Sequence, residues 1–219
     1  MDYFENFYLR RGFQRIAGVD EAGRGPLAGP VVAAAVIFPP SGIKHRLFDS
    51  KMISSRKRDE LYAVILSEAV GVGIGIVGQE EIDRINILQA SLKAMALAID
   101  KLPAPPDFIL VDGLHGVPLT IPQKPIIKGD RLSHSVAGAS IIAKVTRDRM
   151  MLECHNKYPQ YNFAKHKGYG TKEHLEAIRR FGVCDLHRKT FRGVKEFVAE
   201  KTEPASPQSR KERRGKLSY

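Results

Sequence analysis

The chain has 219 residues, 43% of them hydrophobic and 27% charged, and carries a formal net charge of +11 with a sequence pI near 9.7. That length suits one substantial domain with an extension, the balance is that of a globular protein, and the excess of Lys and Arg points to a polyanionic partner, most often nucleic acid. A disulfide framework is excluded by a count of two cysteines, and a membrane span by an apolar run no longer than Val31 to Phe38.

The N-terminus, Met-Asp-Tyr-Phe-Glu-Asn-Phe, lacks the basic-then-apolar layout of a secretory signal, so a cytoplasmic location is expected. Residues 1 to 14 form an amphipathic lead-in, with Tyr3, Phe4, Phe7, Tyr8 and Leu9 set to pack on the domain. Residues 16 to 30 follow, where an apolar strand runs into Asp20 and Glu21 and then into a glycine-rich turn holding Arg24 between Gly23 and Gly25. Successive side chains of a strand point to opposite faces, so these two acids converge only if the strand ends or bulges there. A divalent metal gives a reason for convergence, because paired carboxylates otherwise repel. The glycines let backbone approach a ligand, and Arg24 offers a cationic fork for phosphate. The plainer alternative is a solvated turn with a Glu21–Arg24 ion pair.

Val31 to Phe38, continuous and β-branched-rich, reads as a strand covered on both faces and antiparallel to the first. Asp49-Ser50-Lys51 precedes a helix from about Ser55 to Ala69, with Leu61, Ile65 and Leu66 as its apolar stripe and Arg56-Lys57-Arg58 as a solvated first turn. Gly73, Gly75 and Gly78 match the dinucleotide fingerprint in letters, with Asp100 at a suggestive distance. They alternate with Val72, Ile74 and Ile76, however, and so belong inside a period-two strand. A long helix is predicted from about Glu80 to Lys101, on Ile82, Ile85, Leu88, Leu92, Met95 and Ile99.

Phe108 to Val111 is a short buried strand ending in Asp112-Gly113, and Pro125-Ile-Ile leads to Lys128-Gly129-Asp130 before another helix. Taken singly, Asp112 fits a plain turn and Asp130 an N-cap. Recurrence favours a shared role, since strand ends in an open α/β sheet line one crevice where ligands bind. The helix from about Leu132 to Lys157 places Ser140, Lys144 and Arg147 on one face, a basic stripe suited to phosphates, with Asp148 as a local ion-pair partner. Tyr169, between Gly168 and Gly170 in a basic loop, suits contact with a sugar or base or else a structural role. A short helix spans Thr171 to Phe181 with Gly182 as its C′ residue. Cys184 and His187 have zinc-like spacing, but Cys154 and His155 are their only candidate partners, and that site is set aside. The polar stretch 200–219 holds six Lys or Arg against three acids and is expected to be a disordered basic tail, leaving +8 on the body 1–199.

In order, these motifs resemble the bacterial ribonuclease HII (type 2 ribonuclease H) family across roughly residues 14 to 195. The resemblance rests on Asp20-Glu-Ala-Gly-Arg-Gly-Pro-Leu-Ala-Gly-Pro30, Asp49-Ser-Lys51, Asp112-Gly113 and Lys128-Gly-Asp130. It also rests on Ser140-Ile-Ile-Ala-Lys-Val-Thr-Arg-Asp148, Gly168-Tyr-Gly-Thr171 and His187-Arg-Lys-Thr-Phe-Arg192. It implies an α/β ribonuclease H-like fold, a mixed sheet flanked by helices with a helical C-terminal extension. It implies endonucleolytic cleavage of RNA in RNA–DNA hybrids and 5′ of single ribonucleotides in duplex DNA, giving 5′-phosphate and 3′-hydroxyl ends. It further implies divalent metal, Mn²⁺ or Mg²⁺, as two ions on Asp20, Glu21, Asp112 and Asp130. Substrate contacts are implied for Gly23, Arg24, Gly25, Lys51, Ser140, Lys144 and Tyr169, with the Gly23–Gly25 loop reading the 2′-hydroxyl. Hybrid and ribonucleotide-containing duplex are the expected partners of a monomer without membrane contact. Leu114 departs from the family's frequent Asn and Gly138 from its usual Ala. The sister ribonuclease HIII family typically has a further N-terminal domain and Lys in place of Arg24, while a non-catalytic nucleic-acid-binding module would not need four acids at strand ends.

Overall fold

The structure, a computed structural model, describes residues 3–43, 45, 47 and 53–199. Its centre is a five-stranded mixed sheet in the order β3-β2-β1-β4-β5. Strands β1 (Ile16–Ala22), β2 (Val31–Ile37) and β3 (Gly71–Val77) form an antiparallel meander, and β4 (Phe108–Asp112) and β5 (Gln123–Ile126) run parallel to β1. All of β2 is buried, as a strand covered on both faces must be. Val31, Ala33, Ala35 and Ile37 face one apolar layer, and Ala34 and Val36 the other.

The first layer is supplied by α4 (Ile87–Asp100) and the second by α2 (Ser55–Glu68) and α5 (His134–Lys157). The glycines of β3 are what allow α4 to lie so close. A Cβ at Gly73 would stand 2.0 Å from the Ala98 carbonyl oxygen, and one at Gly75 1.9 Å from that of Ala94. Gly73 and Gly75 therefore serve helix packing, as their place inside a strand predicts, whereas Gly78 lies just past β3 as the N-cap of the helix Gln79–Ile85, where a Cβ would meet nothing.

Where one helix is expected over 80–101, there are two. Chain direction changes at Asn86, with φ 68°, between α3 (Gln79–Ile85) and α4, and the Asn86 side chain accepts the N–H groups of Leu88 and Gln89. The apolar spacing runs through the break, because both helices turn the same stripe to the sheet. Leu66, expected to join the apolar stripe of α2, is exposed, whereas Leu61 and Ile65 are buried. Ser133, not Asp130, caps α5, its hydroxyl accepting from Val136 N–H.

The lead-in forms α1 (Tyr3–Leu9), whose Tyr8 stacks on Phe108 with ring centroids 3.7 Å apart. Beyond α5, the short helices α6 (Phe163–His166), α7 (Lys172–Phe181) and α8 (Lys195–Ala199) share an apolar cluster with Leu27, Ala28 and Met151. The expected helical C-terminal part is thus packed directly onto the loop that follows β1. Asp49, Ser50 and the stretch 200–219 lie outside the described residues. No helix among the described residues is long and apolar enough to cross a membrane.

Candidate active site

The β1–β4 ladder stops at Val19 opposite Val111, while the β1–β2 ladder continues to Ala22 opposite Val32. Asp20 and Glu21 therefore lie on an overhang. Their register with Ala34 and Ala33 is one-for-one, with no bulge, and they leave opposite faces of the strand. Past the end of β4 both faces open on the same cleft, and β1 itself ends at Ala22, so the neighbouring acids meet at a strand end, the first of the two expected ways, without a bulge. Asp112, the last residue of β4, joins them. The cleft holds about 260 Å³ and is lined by Asp20, Glu21, Asp112, the loop Ala22–Gly25, Ser140, Lys144 and Tyr169.

Burial pushes the Asp20 carboxyl well above the usual carboxylate range, and the charges of Glu21 and Asp112 push it the same way. A hydrogen bond from Ser140 and one from the Glu21 N–H, 2.7 Å from Asp20 Oδ1, oppose the shift. Glu21 is also raised by burial, against the pull of Arg24, whose Nη1 lies 3.3 Å from Glu21 Oε1. The solvated-turn alternative thus has its ion pair, but on a glutamate whose side chain is only 9% exposed. Glu21 Oε2 is buried with no hydrogen-bond partner. A buried, unsatisfied carboxylate oxygen among mutually repelling acids is a donor set suited to a hard divalent cation. Among the described residues, no three or more His, Cys, Asp or Glu side chains are already drawn together as a complete ligand group. Mg²⁺ retains several waters and takes few carboxylates directly, so convergence without a closed protein cage remains compatible with it.

Asp130 is buried on a 3-10 turn, Gly129–Arg131, and is not among the residues lining the cleft. It adjoins the cleft through its neighbour, because Gly129 N–H donates to Asp112 Oδ1 at 2.7 Å. Lys51 lies outside the described residues. Lys144 Nζ lies 2.6 Å from Asp148 Oδ1, the local partner its spacing predicts, and Ser140 is engaged with Asp20. Arg147 departs from the expected phosphate-gripping stripe. It is 1% exposed and donates to the carbonyls of Pro30, Ala28 and Lys167 at 3.0, 3.1 and 3.0 Å. Gly23, at φ 100°, has Arg147 Nε 2.1 Å from the site of a Cβ, so that site points into the protein, whereas a Cβ at Gly25 would meet only Tyr169 Cε1 at 3.7 Å.

Two sets of residues escape sequence reasoning. Arg188, 0% exposed, donates to the carbonyls of Gly23, Arg24 and Gly29 at 2.6, 2.9 and 3.0 Å. With Arg147 it fixes the glycine loop from behind by its backbone oxygens. Its only sequence signal is its place in the His187–Arg192 motif. Behind Tyr169, the second set comprises His166, His174 and His187, all buried. His187 Nδ1 lies 3.1 Å from Cys184 Sγ and its Nε2 3.1 Å from His174 Nε2, so the zinc-like spacing serves a hydrogen-bonded pair of rings.

Residues 17–194 match the family model described as Ribonuclease HII. Ribonuclease HII of Geobacter metallireducens is 58% identical over 196 residues, 90% of this chain and 92% of that protein. Among solved structures, ribonuclease H2 from Pyrococcus horikoshii aligns with a TM-score of 0.72 and 25% identity, over 86% of this chain and 100% of that one. Bst ribonuclease HIII, solved in complex with Mn²⁺, aligns with a TM-score of 0.62 and 17% identity over 86% of this chain and 70% of that one, a likeness of fold alone.

Proposed function

We propose, since this chain belongs to the ribonuclease HII family, that it cuts duplex DNA on the 5′ side of a single embedded ribonucleotide as well as within RNA–DNA hybrids, leaving 5′-phosphate and 3′-hydroxyl ends. Membership makes it an endoribonuclease of the ribonuclease H class, a hydrolase of the RNA strand of hybrids. The observation that carries the finer proposal is that Asp20, Glu21 and Asp112 share one cleft with the Gly23–Gly25 loop and Tyr169.

Asp20, Glu21 and Asp112, with Asp130 next in sequence to the Gly129 that donates to Asp112, would hold Mg²⁺ or Mn²⁺, two ions in the full complex. When bound, such ions activate a water and stabilise the leaving 3′-oxygen. Ser140 orients Asp20, and Arg24 and Lys144 bring positive charge to the scissile phosphate. Lys51 is a further phosphate contact. The backbone of Gly23 to Gly25 bonds the 2′-hydroxyl, and Tyr169 covers the adjacent sugar. A site built to bond that hydroxyl leaves its own polar groups unpaired on a deoxyribose, which makes discrimination strong. The enzyme acts as a cytoplasmic monomer.

The test is single-turnover cleavage of a duplex carrying one ribonucleotide, with a 2′-deoxy control, with and without Mg²⁺ or Mn²⁺. Cleavage 5′ of the ribonucleotide that requires the cation and disappears in the control supports the assignment. Cation-independent cutting, or equal cutting of the control, overturns it.

A further inference from the structure

Tyr169 is 45% exposed, and its ring has Arg147 as a distant neighbour, 6.0 Å from the centroid. So sparsely held a side chain is aimed by its backbone. The Tyr169 N–H donates to the His166 carbonyl at 2.9 Å, and the Tyr169 carbonyl accepts from Thr171 N–H at 2.8 Å. It also accepts from His174 Nδ1 at 2.9 Å.

The network around His174 assigns every ring proton. The Cys184 N–H lies 3.0 Å from His187 Nδ1. A backbone N–H cannot face a second donor, so Nδ1 accepts, even though the Cys184 carbonyl is 3.3 Å away. His187 then carries its proton on Nε2 and donates it to His174 Nε2 at 3.1 Å. His174 is left with its proton on Nδ1, the tautomer able to hold the Tyr169 carbonyl. His166 stacks on His174 at 4.5 Å, accepts from Gly168 N–H at 3.2 Å and donates to the Tyr161 carbonyl at 2.7 Å.

We infer that His174 is a positioning residue for substrate recognition, holding Tyr169 over the cleft through its carbonyl, and that His187 sets the tautomer in which it does so. The inference rests on Tyr169 covering the substrate sugar, as proposed above. Burial pushes both His174 and His187 down to about 4, so both rings are neutral at physiological pH. The other titratable groups around the cluster are His166, Cys184 and Tyr161, with Asp185 near Cys184 and with Lys165, Lys167 and Glu173 near His166.

Single-turnover cleavage of a duplex with one ribonucleotide is measured for His174→Phe and His174→Asn, each in the parent and in Tyr169→Ala. His174→Phe keeps bulk but has no N–H and should lower the rate at subsaturating substrate about fivefold, the scale of one lost hydrogen bond. His174→Asn restores a donor to the Tyr169 carbonyl and should recover most of that rate. In Tyr169→Ala, His174→Phe should add less than about twofold, because both changes act through one side chain. A full fivefold further loss in that background means that His174 only supports the fold, and the inference fails. If Tyr169→Ala itself cleaves at the parent rate, the assignment of Tyr169 fails and takes the inference with it. Should the Phe variant not fold, nitrogen NMR of the parent decides at neutral pH: protons on His174 Nδ1 and His187 Nε2 support the inference, and the opposite tautomers overturn it.

Discussion

Asp20 is where stability and chemistry oppose each other most directly. Its proton affinity is raised in the fold, so its contribution to stability is present at low pH and is lost as pH rises through the folded value. Ionising the group inside the fold carries a cost that the proposed cation would relieve. Asp20→Asn keeps the shape and an oxygen to accept the Glu21 N–H. It is expected to cut cleavage by on the order of a hundredfold or more while raising the melting temperature of the cation-free protein, by about 2–4 °C per kcal/mol relieved. Mg²⁺ should raise the melting temperature of the parent and not of the variant. A variant that cleaves normally, or melts lower than the parent without cation, contradicts this. The loop glycines separate in the same way. A methyl at Gly23 meets buried Arg147, not the substrate's space, so Gly23→Ala is expected to lower melting temperature and activity together. Gly25→Ala, facing Tyr169 in the cleft, should melt like the parent and lose cleavage selectively. Circular dichroism melts beside cleavage assays tell these apart.

At the scale of elements, Asn86 does two things at once. It adopts a positive φ, which is costly for any residue with a side chain, and caps α4 with that same side chain. Asn86→Ala forfeits the cap and keeps the strain, so a loss of about 1–2 kcal/mol is expected; Asn86→Gly forfeits the cap but relieves the strain, so only a few tenths. Urea unfolding of the two variants gives the order, and equal losses contradict the dual role. The break was hidden because apolar periodicity reports which face meets the sheet and not whether the axis is continuous. The strand ends were legible because β-branched runs stop at acids and glycines, and the placement of Asp20, Glu21 and Asp112 in one cleft follows from that. Arg147 was misread because its spacing from Ser140 and Lys144 is local, whereas its three carbonyl partners belong to loops distant in sequence. For the same reason nothing local announced Arg188 or the pairing of His174 with His187.

For the whole molecule, His174 and His187 set a pH dependence. Their folded values near 4 lie below the ordinary 6.5, so the unfolded chain binds more protons in between. The stability they confer is fully present above about pH 6.5 and is lost as pH falls towards 4. Asp20 and Glu21 pull in the opposite sense, so the clean comparison is with a variant carrying His174→Gln and His187→Gln, whose urea midpoint should fall less steeply over that window. Parallel profiles would remove the histidines as the cause. The bond from Arg188 to the Gly23 carbonyl, finally, spans 165 positions of chain. During synthesis Asp20, Glu21, Asp112 and Asp130 leave the ribosome long before Arg188 does, and the loop that shares the cleft with the first three is not locked until it arrives. A chain stalled short of that residue carries the four acids proposed as metal ligands without the clamp that fixes the adjoining loop, so on that proposal competence to cut is among the last properties the growing protein acquires.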